Sequence, residues 1–295
     1  MSEPVLKICN LKQHFRINSR FTVKALDGIS FTIEDGEIFA LVGESGSGKS
    51  TAARTIMGLY PPTEGEIYFH GKDISDAKGR RQNADLIHKK MSIIFQDSAA
   101  ALNQRMTVGK IIAEPLQIHR VFKDRQAMKD RIDELLNMVG LDETFRNKYP
   151  SEISGGQRQR VAIARSISMH PDLLIADEPI AALDVSIQAQ IINLFKRLQE
   201  ENKFSFLFIA HDLSVVRFIS DKVGVLYRGN LVELASTKQL FDNPIHPYTQ
   251  SLLSAVPTPD PAKERNKDLL EFDSASFTGE GTMQEYEPGH YYLQA

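Results

Sequence analysis

The octapeptide Gly43-Glu44-Ser45-Gly46-Ser47-Gly48-Lys49-Ser50 has the spacing G-x-x-x-x-G-K-[ST], set between an apolar run at 38–42 and a helix-like stretch at 50–57. That context identifies a phosphate-binding loop. Gly43, Gly46 and Gly48, with Ser45 among them, let backbone N–H groups turn inward toward phosphate oxygens. The helix N-terminus behind them carries roughly half a positive charge. Lys49 is suited to neutralise β- and γ-phosphates, and Ser50, followed by Thr51, to ligate Mg²⁺.

Other groups complete a hydrolytic chemistry. Asp177-Glu178 closes the apolar run 173–176. A carboxylate at the end of a buried strand is costly unless it meets a cation. Asp177 is therefore a candidate to meet Mg²⁺ through water, and Glu178 to orient or deprotonate an attacking water. The plainer alternative is that one of them caps the next helix. His211 ends the apolar run 204–210 and is a candidate to bond the γ-phosphate and hold water in line with Glu178. Taken alone, a histidine there is more often a core or capping residue. Gln96, just past the run 91–95, is a candidate Mg²⁺ or water ligand. Ser154-Gly155-Gly156-Gln157 opens a helical run to 168, giving a second anion site made of a hydroxyl, backbone N–H groups and a helix dipole. Two such helix ends, far apart in one chain, are most economically explained if two chains sandwich each nucleotide.

These groups need rigid elements to position them. Ile29, Phe31 and Ile33 alternate with polar residues, and Glu34-Asp35-Gly36-Glu37 turns the chain into 38–42, apolar throughout as for a strand buried on both faces. The helix after the glycine loop ends near Gly58 and Pro61-Pro62. A hairpin is predicted at 66–70, turning at Gly71-Lys72. Ile132, Leu135, Leu136 and Val139 mark a helix stopping at Gly140, within a mostly helical insert over 97–168. A further stripe, Ile191, Leu194, Phe195 and Leu198, lies between the strands 173–176 and 204–210. A late hairpin joins 223–227 to 231–235 at Gly229-Asn230. Strand and helix alternating in this way predict a mainly parallel sheet covered on both faces. After Pro257 the chain turns polar, and 260–295 is expected to be a loosely ordered extension. Its aromatic end, Tyr286, Tyr291 and Tyr292, leaves docking open.

The bulk properties exclude several classes. A net charge of −3 gives no global pull toward nucleic acid, and the basic cluster at 78–90 reads as a solvated face. No run approaches the ~20 apolar residues of a membrane-spanning helix, and no signal pattern opens the chain. Cys9 is the single cysteine, so no internal disulfide forms; it is expected to be a small buried apolar residue in a reducing cytosol.

With these motifs in place, residues 5–256 resemble the nucleotide-binding subunits of ABC transporters. The resemblance implies a P-loop NTPase (RecA-like) α/β core with a mainly parallel sheet, an N-terminal antiparallel β subdomain and an inserted helical subdomain at about 97–168. The nucleotide-binding domain would occupy 1–256, and 257–295 a C-terminal extension. By similarity 43–50 is the Walker A loop, Gln96 the Q-loop glutamine, 153–157 the signature, and 172–178 the Walker B strand. Asp184, in Ala181-Ala182-Leu183-Asp184, matches the D-loop, and His211 the switch histidine. Phe15 stands where the family stacks an aromatic on adenine. ATP and Mg²⁺ are the implied cofactors.

A finer resemblance concerns the solute. Asn243-Pro244-Ile245-His246-Pro247-Tyr248-Thr249, followed by Leu252-Leu253 and Pro257, is similar to the C-terminal motif of oligopeptide and dipeptide importer ATPases. From the residues alone this segment is only a turn, with Pro247 opening a short helix. The likeness implies a second ATP-binding subunit (a paralogue), two membrane permeases, an extracellular or periplasmic solute-binding protein, and a place on the cytoplasmic face of the membrane. No C-terminal cysteine cluster is present, so the chain resembles the cluster-free member of such a pair. Rival readings are uptake of nickel, a metal–chelator complex or glutathione, a non-transport ABC ATPase, and a catalytically idle partner. The chain departs from the family pattern at Ile180-Ala181, where Thr-Ser is usual, and at Ser98, Ala99 and Gln104, where Pro, Tyr and Pro are usual.

Overall fold

The computed structural model describes residues 3–97, 100–181, 183–257 and 267–294; Ser98, Ala99 and Ala182, named above, lie outside them. The chain divides into two compact units, Met1–Gln82 with Leu207–Ala295, and Asn83–Phe206.

The first unit opens with the antiparallel pair β1 (Leu6–Arg16) and β2 (Thr22–Ile33), followed by β3 (Ile38–Val42) and α1 (Lys49–Met57). β4 (Glu64–Phe69) and β5 (Lys72–Asp73) complete a four-stranded sheet in the order β2-β1-β4-β5, and α2 (Ala77–Gln82) follows. The alternation at Ile29, Phe31 and Ile33 puts all three inward, while every residue of β3 is buried. Cys9 is half-buried rather than buried. The reason is alternation: Leu6 and Ile8 face inward, so Lys7 and Cys9 fall on the opposite face of β1; a bulge follows, with Asn10 at φ 47 and its N–H donating to Ser30 Oγ at 2.8 Å. The basic cluster is also not uniformly solvated. Arg80 is half-buried and donates through Nη2 to the Thr55 and Ile56 carbonyls, satisfying the C-terminal end of α1.

The second unit runs α3 (Ala84–Lys90), β6 (Met91–Ile94), α4 (Val108–Ile118), α5 (Arg125–Met138), two 3₁₀ turns (Glu143–Asn147 and Pro150–Glu152), α6 (Gly155–Ile167), β7 (Leu173–Asp177) and α7 (Val185–Asn202). β6 and β7 pair in parallel, Met91 with Leu173 through Ile94 with Ala176. The helical period at 132–139 is explained by burial of Ile132, Leu135, Leu136 and Val139. Asp124 caps α5, accepting from the Gln126 and Ala127 N–H groups.

The chain returns to the first unit through β8 (Ser205–Ala210), α8 (Leu213–Ile219), β9 (Lys222–Tyr227), β10 (Asn230–Ser236), α9 (Thr237–Asp242), α10 (Pro247–Ser254), β11 (Thr282–Glu287) and β12 (His290–Gln294). Within this unit the strand order is β11-β12-β10-β9-β3-β8, with β3 and β9 parallel and the β9–β12 neighbours antiparallel. The β9–β10 loop is Arg228-Gly229, one residue earlier than the sequence suggested. Both residues have positive φ, 45 and 83, the conformation a two-residue hairpin needs. The tail departs further from expectation. Residues 282–294 form a hairpin that extends the sheet through β10 rather than a loose extension, because His290 is fully buried against it. Among the described residues no helix is long and apolar enough to cross a membrane. The architecture is α/β, as the sequence implied.

Candidate functional site

In the first unit the glycine loop leaves β3 and enters α1. At Gly43 (φ 149) a Cβ would sit 2.1 Å from the Leu226 carbonyl, and at Gly48 (φ 112) 2.3 Å from that of Ala25. Only glycine lets the loop run so close to the end of β9 and to β2. Gly229 N–H donates to the Ser47 carbonyl at 2.9 Å, and Asp27 N–H to the Gly229 carbonyl at 2.8 Å, so the β9–β10 hairpin pins loop and β2 together. Lys49 is 4% exposed. Its Nζ donates to the carbonyls of Gly43 and Glu44, both at 2.8 Å, and lies 3.5 Å from Ser47 Oγ. Glu44, Ser45 and Gly46 face solvent, and a Cβ on Gly46 would meet nothing within 4 Å. Ser50 and Thr51 are half-buried in the first turn of α1. A backbone loop with the Lys49 ammonium tucked against its carbonyls, exposed at Gly46 and backed by a helix whose cap residue has no side chain, fits the triphosphate of ATP.

His211 follows β8 directly and is exposed, and Asp212 caps α8. Phe15 is half-buried near the end of β1, its ring edge-on to Tyr60 at 5.2 Å.

In the second unit Asp177 ends β7 with no exposed surface. Glu178 follows at φ 46, a left-handed conformation costly for a residue with a side chain, on the order of 1–3 kcal/mol. That turn lifts its carboxylate out of the strand, where Gln96 Nε2 donates to Oε2 at 3.2 Å. The structure thus brings together two groups that lie 82 positions apart in sequence. Ser154 is the N-cap of α6: its hydroxyl accepts from Gln157 N–H at 3.3 Å, and Gln157 Oε1 accepts from Ser154 N–H at 2.9 Å. Gly155 stays open, but a Cβ on Gly156 would press to 2.9 Å from Ile187 Cγ2 of α7. Asp184 is the exposed N-cap residue of α7.

Two side chains escaped the sequence reading. Gln159, 3% exposed, donates from Nε2 to the Pro179 carbonyl at 2.6 Å, fastening α6 to the turn after Glu178. Its signal was a polar residue on the otherwise apolar inner face of α6. Gln188 Nε2 donates to the carbonyls of Ile180 and Leu183, holding the segment before Asp184. Ile180 itself is buried. Among the described residues no group of His, Cys, Asp and Glu is arranged as a metal cage.

Comparison with known proteins agrees with this chemistry. Residues 26–181 match the family model of the ABC transporter, and 232–275 that of the oligopeptide/dipeptide transporter C-terminal region. The chain is 51% identical to the oligopeptide transport ATP-binding protein OppF of Bacillus subtilis, covering 99% of this chain and 97% of that protein. It is equally 51% identical to AmiF of Streptococcus pneumoniae, of the same description, over 99% and 95% of the two chains. Among solved structures, a dimeric ATP-binding cassette in a post-hydrolysis state, bound to ADP and Pi, superposes with TM-score 0.71 at 31% identity, covering 79% of this chain and 98% of that one.

Proposed function

The chain belongs to the ABC transporter family as an ATP-hydrolysing cassette, and on that premise we propose that it energises uptake of oligopeptides through separately encoded membrane permeases. The observation that carries the peptide reading is likeness over nearly the whole chain to oligopeptide transport ATP-binding proteins, including the C-terminal region 232–275. In this reading the chain sits on the cytoplasmic face of the membrane, pairs with a second ATP-binding subunit, and serves a permease pair fed by a solute-binding protein.

The residue roles are as follows. Backbone amides at 43–50 and the Lys49 ammonium bind the β- and γ-phosphates, and Phe15 packs on the adenine. Mg²⁺ would be held with the help of Ser50, Asp177 and Gln96 and would neutralise phosphate charge. Glu178 holds the attacking water and takes its proton at a carboxylate oxygen, oriented by Gln96. His211 donates toward the γ-phosphate. The Ser154 end of α6, with Asp184, serves the nucleotide of the partner subunit.

Reconstitution with its permeases and binding protein tests the solute. Hydrolysis is expected to rise when the binding protein carries an oligopeptide and to stay basal when it carries a nickel chelate or glutathione. Stimulation by either of the latter instead would reassign the substrate.

A further inference from the structure

In the first unit a side chain reaches the phosphate loop from outside the usual motifs. Tyr248, at the second position of α10, is 1% exposed, and its hydroxyl oxygen accepts a hydrogen bond from Glu44 N–H at 3.1 Å. Glu44 is also one of the two residues whose carbonyls receive the Lys49 ammonium. The phenol therefore grips the loop where it leaves β3. Burial holds the phenol well above the usual tyrosine range.

Tyr248 is held by β9 and by the C-terminal segment together. Its ring lies 4.3 Å from Tyr227, the last residue of β9, and 5.5 Å from Phe272; Tyr227 also meets Phe272 at 5.2 Å and Phe277 at 4.9 Å, edge-on. Arg228 Nη1 donates to the Ser274 carbonyl at 3.1 Å. Below this cluster the fully buried Glu233 carboxylate accepts from Ile245 N–H (2.8 Å), His246 N–H (2.9 Å) and His290 Nε2 (2.7 Å). One carboxylate thus ties the turn that launches α10 to the terminal hairpin. A buried carboxylate with that set of donors is strongly committed, since losing any one leaves charge poorly solvated.

We propose that Tyr248 is a positioning residue for the phosphate loop, and that residues 267–294 brace it, so that the tail of the chain sets nucleotide affinity. This rests on 43–50 being the phosphate loop, as in the functional reading above. An aromatic serving only as core filler needs its ring; a positioning residue needs its oxygen.

Tyr248→Phe in the full chain separates the two. The expected result is a rise of about three- to tenfold in KM for ATP with kcat unchanged, the loss of one neutral hydrogen bond. Hydrogen exchange at the Glu44 amide should accelerate about tenfold while exchange in β3 and β9 stays slow. Unchanged KM and unchanged Glu44 exchange would overturn the proposal. Phe272→Leu tests the brace, and should accelerate Glu44 exchange to a smaller degree; if only Tyr248→Phe does so, the tail has no part in it. Lys49→Ala keeps the two readings apart. If nucleotide binding survives that change, the phosphate-loop reading itself is wrong, whereas loss of binding there beside a silent Tyr248→Phe sinks only the positioning role.

Discussion

Two helix N-termini in this chain are built from glycine and serine, yet they finish their backbone groups in opposite ways. At α1 the cap residue is Gly48, which has no side chain to offer, and the loop before it closes around Lys49. At α6 the cap is Ser154, and a reciprocal Ser154–Gln157 box satisfies the helix from within its own chain. The first end gathers an ammonium behind a glycine cap; the second carries its own side-chain cap, and its dipole with the amides of Gly155 and Gly156 can serve an anion held elsewhere. That difference is what one expects if α1 owns a nucleotide and α6 completes the site of a neighbour.

The comparison breaks most sharply at the carboxylate proposed to act in hydrolysis. Glu178→Gln keeps the hydrogen-bonding shape but removes the base, and is expected to slow turnover by ~10²–10⁴ while ATP still binds at α1. Single-turnover hydrolysis at the wild-type rate would remove Glu178 from its assigned role. Next comes the ownership of each helix end. Ser154→Arg places a bulky cation at the α6 end, and should leave nucleotide binding by the isolated chain intact while abolishing ATP-driven pairing, read by light scattering. Loss of binding itself would mean that α6 serves its own chain's nucleotide.

How much of this contrast could be read from sequence depends on range. The spacing at 43–50 fixes a strand, a loop and a helix within a few residues, so local sterics leave little choice. The parallel strands announced themselves because burial on both faces demands unbroken apolar runs at 38–42, 173–176 and 204–210. The contacts between distant segments were invisible. Nothing about Gln159 marks it as bonding Pro179, and nothing about Tyr248 marks it as reaching Glu44. The tail misled for a related reason: β11 is exposed almost throughout, and the hairpin is held by long-range contacts such as His290 meeting the buried Glu233 and Gln239 donating to Glu287. A single buried hydrogen bond leaves no periodic trace.

Gln159 offers a finer probe of the α6 side. Gln159→Leu keeps the volume but leaves the Pro179 carbonyl without its donor, for about 1–3 kcal/mol of destabilisation. Because Pro179 directly follows Glu178, kcat should fall by more than nucleotide affinity. A variant equally stable and equally fast would show that the turn after β7 holds itself.

The smallest effect tests the self-completed cap directly. Ser154→Ala removes the hydroxyl that accepts from Gln157 N–H, and an N-cap of this kind is worth about 1 kcal/mol. If α6 is indeed satisfied from within, the loss appears in thermal stability of the isolated chain with no nucleotide present. Because the amides of Gly155 and Gly156 are untouched, ATP-driven pairing should weaken only modestly, unlike the block expected from Ser154→Arg. Stability unchanged but pairing abolished would reverse the contrast with α1: the hydroxyl would then be a ligand first and a cap second, and both helix ends would be waiting for phosphate.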